Sequence, residues 1–170
     1  KIKDAFNSEI KIFLLIVVCA VTVITVDTVG RYGSIGEAVN HASFTVASLI
    51  STTGFATENF DLWPELSRTV LVLIMFVGAC AGSTGGGIKV SRIIILFKGM
   101  ARELHTLLHP RQIKKITVDR KPVSHELIRS VNAYIVCYFL IFAASVLLLS
   151  FEETDLVTNF TAVTTTINNI

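Results

Sequence analysis

The chain has 170 residues, of which 52% are hydrophobic and 16% charged, and its mean hydropathy is +0.65. A soluble domain carries about 25% charged residues, so this composition excludes disorder, a coiled coil and nucleic-acid binding and favours a membrane protein. The formal net charge of +2 is too small to predict a polyanionic partner. The sequence begins without methionine and stops inside an apparent motif, so we interpret it as part of a longer chain.

Three long apolar runs are candidates for membrane-spanning helices, which need about 20 residues to cross a bilayer. Residues 12–26, 69–88 and 130–150 contain no charged side chain. The first run is a few residues short, which Lys11 can remedy by extending its ammonium group to the interface. We therefore predict one span at about 9–29, a second and broken span at about 66–104, and a third that starts at 130.

Charged residues are sorted between the segments that connect these runs. All Lys and Arg residues except Arg31 and Arg68 lie near the N-terminus or between residues 89 and 129. Acidic residues outnumber basic ones in residues 27–68 and 152–155. Because Lys and Arg concentrate on the cytoplasmic side of a membrane protein, residues 1–8 and 105–129 are predicted to be cytoplasmic and the acidic segments external.

Residues 34–51 are moderately apolar but too short and too polar to cross a membrane. They lie between two predicted spans and lead into the turn-prone sequence Ser-Thr-Thr-Gly-Phe. A short helix that enters the membrane and returns as non-helical backbone fits this pattern, since such backbone is tolerated there only where it is buried or lines a water-filled path. Residues 1–108 thus form a predicted span–pore-helix–span repeat, with the pore helix at about 35–51 and a re-entrant loop at 52–57.

A second, partial copy of this unit follows a basic loop at residues 109–129. The span that starts at 130 leads into a Thr-rich stretch and then into Ile-Asn-Asn-Ile at 167–170. Residues 130–170 are therefore predicted to form the first span and the pore helix of a following repeat. The predicted fold class is an all-α membrane protein with re-entrant filter loops, like a potassium channel.

The sequence Thr-Thr-Gly-Phe at residues 52–55 is a candidate ion filter. Potassium channels line their filters with backbone carbonyls from similar Thr- and Gly-containing loops, and glycine permits the left-handed φ that aligns successive carbonyls. On these residues alone, an ordinary turn with glycine as the helix C-cap is the simpler interpretation. The position after a short helix and between two spans favours the filter.

Residues 78–89 are rich in glycine although they lie within an apolar segment. Since glycine costs about 1 kcal/mol per residue in a helix interior, three consecutive glycines predict a helix break near the middle of the membrane. The segment lacks the Gly-Lys-[Ser/Thr] ending of a phosphate-binding loop. A functional intramembrane loop and close helix packing through small residues both remain open. The candidate residues are Gly78, Gly82, Ser83, Thr84, Gly85, Gly86, Gly87 and Lys89.

Several ionisable residues have two interpretations each. Lys89 is either a functional intramembrane charge or an interfacial side chain that reaches the inner surface. His41 has no second ligand three or four residues after it, which favours a packing or interfacial role over metal binding. Four of the acidic residues of the external segment either concentrate cations at an outer mouth or are solvated loop charges; they are Asp27, Glu37, Glu58 and Asp61.

Taken together, these motifs resemble the Trk/Ktr/HKT superfamily of potassium transporters, and most closely the bacterial TrkH group. The resemblance rests on residues 51–57, 81–89 and 164–170. It implies that the chain is the third repeat and the first half of the fourth in a pore that conducts K⁺ across the bacterial cytoplasmic (inner) membrane. It also implies that K⁺ is cargo, that there is no bound cofactor, and that the protein is not an enzyme.

The resemblance further assigns a role to each motif. The glycine-rich loop (residues 78–89) would obstruct the path below the filter in the closed state. The implied partners are the lipid bilayer, a second copy of the full-length chain, and a cytosolic nucleotide-binding regulatory subunit similar to TrkA. The filter residues that would bind K⁺ are Thr52, Thr53, Gly54 and Phe55 in one quarter, and Thr166, Ile167, Asn168 and Asn169 at the start of the next.

Two points stay open from the sequence. If Thr166 corresponds to Thr52, then Asn168 stands where Gly54 stands in the first copy, and asparagine tolerates the left-handed region better than other non-glycine residues. A rival function is a secondary transporter for another solute or for sodium, in which the broken helix exposes its ends to the substrate.

Overall fold

A computed structural model describes residues 8–109, 116–118, 121–152 and 154–170. The predictions for residues 1–7 and for much of the basic loop lie outside the described residues. The helices are α1 (Ser8–Thr28), α2 (Ile35–Ile50), α3 (Glu65–Met75), α4 (Val90–Leu108), α5 (His125–Leu149) and α6 (Leu156–Asn168). Short 3₁₀ turns lie at Phe60–Leu62 and Ser150–Glu152, and two-residue strands form the pairs β1 (Val77–Gly78) with β2 (Ile88–Lys89) and β3 (Thr117–Val118) with β4 (Lys121–Pro122).

Among the described residues, two helices are long and apolar enough to cross a membrane, namely Ser8–Thr28 and His125–Glu152 with its 3₁₀ extension. Only 11% of the most apolar window in each is buried, so both expose apolar side chains along their length. The second begins before residue 130 because the Ser124 hydroxyl accepts a hydrogen bond from the Leu127 amide and caps the helix there.

The apolar run at residues 69–88 does not form one helix. Helix α3 ends at Met75 and α4 begins at Val90. Between them, β1 pairs in parallel with β2, and the Ile88 amide donates to the Phe76 carbonyl over 3.0 Å. The backbone between α3 and α4 thus forms a non-helical loop whose two ends lie side by side.

The main apolar core lies between α1, α2 and α3. Ile24 and Val46 are fully buried in it, and Leu71 nearly so. A polar contact also joins two of these helices, since Asp27 Oδ2 accepts from the Ser67 amide (3.1 Å) and from its hydroxyl (2.6 Å). Helix α6 packs against α5 and α3.

Candidate ion pathway

Helix α2 ends in a left-handed turn that starts the predicted filter segment (residues 52–57), called the filter segment below. Thr52 has φ +58° and Gly54 has φ +75°. The Thr53 amide donates to Ser48 O (2.9 Å) and the Thr52 amide to Leu49 O (3.1 Å), the two bonds of a Schellman motif. A left-handed threonine is energetically unfavourable, so these hydrogen bonds hold the chain where it turns out of the helix.

Helix α6 ends in the same motif. Asn169 has φ +57°, its amide donates to Thr166 O (3.2 Å), and the Ile170 amide donates to Thr165 O (3.0 Å). Each bond has its counterpart at the end of α2. By this geometry Asn169 corresponds to Thr52, and Ile170 corresponds to Thr53.

This equivalence corrects the register that the sequence suggests for the second filter quarter. Thr166, Ile167 and Asn168 lie inside α6 rather than in filter backbone, and Asn169 has left the helix. Asn168 is fully buried, with its Oδ1 accepting from the Tyr138 hydroxyl (2.7 Å) and its Nδ2 donating to the Thr164 carbonyl (2.8 Å).

The Thr-rich sequence does not fix this register, because threonine is compatible with both the helix and the turn that follows it. The Thr164 hydroxyl donates to Phe160 O (2.6 Å) and the Thr166 hydroxyl to Ala162 O (2.8 Å), one helical turn back in each case. Such bonds let threonine remain inside a helix. The helix ends only at asparagine, which adopts the left-handed conformation more readily.

The glycine-rich loop packs against the C-terminal ends of α2 and α6, the two predicted pore helices. A Cβ on Gly85 would lie 3.7 Å from Ser51 O and 3.5 Å from Thr52 Oγ1, whereas a Cβ on Gly86 would overlap Asn168 O. Ser51 and Asn168 are equivalent positions in the two Schellman motifs, so adjacent glycines meet equivalent carbonyl regions. The loop and the two helix ends therefore form one continuous site.

Glycine is also required where the loop closes on itself. A Cβ on Gly78 would overlap the Gly86 carbonyl. Gly87 has φ +73°, and a Cβ added to it would come closer to Gly78 N than a van der Waals contact allows. Gly82, by contrast, has φ +95° and open space around it. The loop therefore needs small residues for its own fold and not only for packing against helices.

Lys89 stabilises the glycine-rich loop through hydrogen bonds to other residues of the loop. Its ammonium donates to Ser83 O (2.9 Å), Ser83 Oγ (2.9 Å) and Gly85 O (2.6 Å). Its ammonium group is thus partnered by two backbone carbonyls and one hydroxyl of the loop in which it lies. Thr84 is exposed on the same loop.

Glu9 is a site residue that the sequence does not predict. Its Oε1 accepts from the Ala81 amide over 2.5 Å, so the first turn of α1 contacts the tip of the glycine-rich loop. The two residues are 72 positions apart, and no local pattern links them.

The two copies of the pore-helix motif approach each other directly. A Cβ on Gly54 would lie 3.4 Å from the Ile170 carbonyl carbon. The filter segment, the end of α6 and the glycine-rich loop are therefore neighbours, although they are far apart in sequence.

Comparison with known proteins shows the family to which this chain belongs. The family model described as "TrkH: Cation transport protein" matches residues 9–170. This chain belongs to the TrkH family of cation transport proteins. It therefore belongs among membrane transport proteins rather than enzymes.

Members of the TrkH family from several bacteria are similar to this chain. The Trk system potassium uptake protein TrkH of Escherichia coli (strain K12) is 35% identical over 158 residues, which is 93% of this chain and 32% of that protein. TrkG of the same strain is 36% identical, over 95% of this chain and 34% of that protein. The chain thus spans about a third of the length of these curated relatives.

A solved structure has the same fold. The crystal structure of the potassium transporter TrkH from Vibrio parahaemolyticus matches with a TM-score of 0.88 and 34% identity, over 96% of this chain and 35% of that one. The predicted class, a helical membrane protein of the TrkH type, is confirmed by this match and by the family model.

Proposed function

We propose that this chain is part of a potassium uptake pathway, to which it contributes part of a carbonyl-lined filter and the loop that obstructs it. The observation that carries the proposal is the packing of Gly85 and Gly86 against the equivalent ends of two pore helices. Its relatives, three times as long, are named potassium uptake proteins.

The helix ends supply the chemistry for binding a cation. A helix carries partial negative charge at its C-terminal carbonyls, and the C-terminal ends of α2 and α6 meet at this site. K⁺ that sheds water is compensated by backbone carbonyls in such a filter. We assign this role to Thr52, Thr53, Gly54 and Phe55, joined by Asn169 from the second quarter.

A single glycine in the first quarter favours a short filter with fewer sites than a true potassium channel has. Discrimination against Na⁺ is then moderate. The glycine-rich loop lies across the path because it occupies the space against Ser51 and Asn168, directly behind the filter segment. Opening requires the loop to leave these two helix ends.

The membrane orientation follows from the charge distribution. The segment that starts α1 and residues 105–129 face the cytoplasm of a bacterial inner membrane, and the acidic segment faces outward. The repeat at 1–108, the loop at 109–129 and the partial repeat at 130–170 are the units of this arrangement. The relatives' "Trk system" name supports further components, for which we propose a second full-length copy and a TrkA-like nucleotide-binding subunit docked on the basic loop.

Potassium uptake by the full-length protein, in a bacterial strain that lacks its own uptake systems, tests this function. The wild type is expected to restore growth at low K⁺, and deletion of residues 85–87 to give a raised, unregulated flux at equal protein level. Gly54→Ser is expected to lower K⁺ over Na⁺ selectivity. Saturable flux with a fixed coupling stoichiometry and no block by large cations would instead support the secondary transporter.

A further inference from the structure

A closed ring of side chains holds the outgoing end of the filter segment. His41 Nδ1 lies 2.9 Å from Thr57 Oγ1, and the His41 ring stacks on Tyr32 with centroids 5.1 Å apart and planes 17° from parallel. The Tyr32 hydroxyl donates to the Glu58 carboxylate and accepts from Trp63 Nε1 over 2.9 Å. We name Tyr32, His41, Thr57, Glu58 and Trp63 the outer clamp.

The outer clamp joins three separate parts of the chain. Tyr32 follows α1, His41 lies on α2, and Thr57 ends the filter segment with Glu58 directly after it. Trp63 is 3% exposed, so it anchors the ring to the core. The ring closes because Thr57 and Glu58 are consecutive, and each bonds to a different partner of the stacked pair.

The filter segment is thereby fixed at both ends. At its start, the Schellman motif binds Thr52 and Thr53 to α2. At its end, the outer clamp binds Thr57 and Glu58. Phe55 between them is 70% exposed in the described chain, so core packing does not fix this stretch.

The strength of the clamp suits a positioning role. A hydrogen bond to an ionised carboxylate contributes about twice as much as one between neutral groups, and the Tyr32–Glu58 bond of the clamp is of this kind and part-buried. Binding sites require their groups to be held to within about 0.5 Å. A filter that distinguishes two cations through its carbonyls has the same need.

We propose that the outer clamp sets the selectivity for K⁺ over Na⁺ by holding the outer end of the filter segment, with Tyr32 and His41 as positioning residues. This role depends on the potassium pathway proposed above. The ring also gives Glu58 a function other than attracting cations, because its carboxylate accepts from Tyr32.

Tyr32→Phe is the sharpest test because it removes only the hydroxyl that joins Glu58 to Trp63. Tyr134→Phe is the matched control, since it removes the same atom from a ring whose described contacts are with Arg92 and Tyr138. The full-length proteins are reconstituted in liposomes, and Rb⁺ and Na⁺ fluxes are measured at equal protein. We expect Tyr32→Phe to raise the Na⁺ to Rb⁺ flux ratio about three- to tenfold and Tyr134→Phe to leave it unchanged.

A second pair of variants separates positioning from folding. His41→Asn places an amide close to the position of Nδ1 and can still bond Thr57, whereas His41→Ala cannot. We expect the ratio to rise with His41→Ala and to return most of the way to wild type with His41→Asn. A merely structural role would change protein yield and total flux in both variants without changing the ratio.

The outcomes distinguish the clamp from the pathway itself. If the wild type conducts Rb⁺ selectively while Tyr32→Phe and His41→Ala keep its flux ratio, the clamp has no part in selectivity and the proposed function stands. If the wild type shows no selective Rb⁺ flux, the proposed function fails and the clamp role fails with it. If Tyr32→Phe does not fold, the comparison of His41→Ala with His41→Asn decides.

Discussion

Gly86 occupies a position in which no other residue fits. An added Cβ would overlap the Asn168 carbonyl at the end of α6, whereas the nearest atom to a Cβ on the adjacent Gly85 would be 3.5 Å away. A single added methyl group would therefore clash at Gly86 and fit at Gly85, although the sequence Gly-Gly-Gly does not distinguish the two positions.

Gly86→Ala is expected to displace the glycine-rich loop from α6 and to raise basal K⁺ flux of the full-length protein. Gly85→Ala is expected to raise it less, because its Cβ meets only ordinary contacts. Flux into liposomes at equal protein checks this, with a thermal melt to show that both variants fold. Equal flux from the two folded variants would contradict the packing of Gly86 against Asn168.

Ionisation of Glu58 is linked to the outer clamp. The hydrogen bond from Tyr32 lowers the pKa of Glu58 below its usual 4.5, with smaller help from Trp63, His41 and Arg31. Burial, followed by the Glu58 contact, raises the pKa of Tyr32 to about 12. The phenol thus remains a donor and the carboxylate an acceptor throughout the neutral range.

The pH dependence of stability follows from the sign of this shift. A carboxylate with a lowered folded pKa stabilises the protein above its unfolded pKa, and the contribution is lost as pH falls through the folded value. The melting temperature of the wild type should exceed that of Glu58→Gln by a constant amount from about pH 7 down to the usual 4.5. The difference should shrink below that pH; a difference that grows on acidification would contradict the Tyr32–Glu58 bond.

The interruption between α3 and α4 is the decisive feature at the scale of elements. Glycine makes the break possible, and pairing of β1 with β2 closes it. Lys89 then holds the loop through three hydrogen bonds, while Glu9 ties its tip to α1. Two charged side chains on different elements thus stabilise one loop conformation.

Glu9→Ala is expected to free the tip of the glycine-rich loop and to increase basal flux. Glu9→Gln is its matched control because the amide oxygen can still accept from the Ala81 amide. Losing one hydrogen bond of this kind corresponds to roughly 1 kcal/mol, or about a fivefold change in the population of the displaced loop. Single-channel or liposome flux recordings measure this; equal flux in Glu9→Ala and wild type would rule out the tether.

Fold and site were not equally predictable from sequence. The helical segments and the position of the helix break could be inferred, because hydropathy and glycine content are local properties of the chain. The register at the end of α6 could not, since threonine accommodates helix and turn alike and only the amide bonds of Asn169 and Ile170 decide between them. The roles of Glu9 and Tyr32 could not be predicted either, because their hydrogen-bond partners are distant in sequence.

At the scale of the whole molecule, large apolar surfaces remain uncovered. Leu15 on α1 is 61% exposed, and Leu140 on α5 is 65% exposed. Helices of this length and hydropathy match a lipid environment. The chain spans about a third of the length of its relatives.

Leu140→Arg is expected to impair membrane insertion of the full-length protein. A charge near the centre of a span costs about 3 kcal/mol on the insertion scale. Leu127→Arg, in the first turn of α5, is the control because its side chain lies near the interface, where arginine is tolerated. Alkaline extraction of membranes measures the inserted fraction, and equal fractions for the two variants would contradict the placement of α5 across the bilayer.

The sequence by itself determined that this is a helical membrane protein of the TrkH family with a broken helix, since hydropathy, charge sorting and glycine content act locally and survive without knowledge of contacts. Only the tertiary structure decided which residue follows each pore helix, that Gly85 and Gly86 face equivalent helix ends, and that the outer clamp closes on Thr57 and Glu58. These features depend on contacts between residues that are far apart along the chain. Such contacts form only when the helices pack, so no local pattern records them.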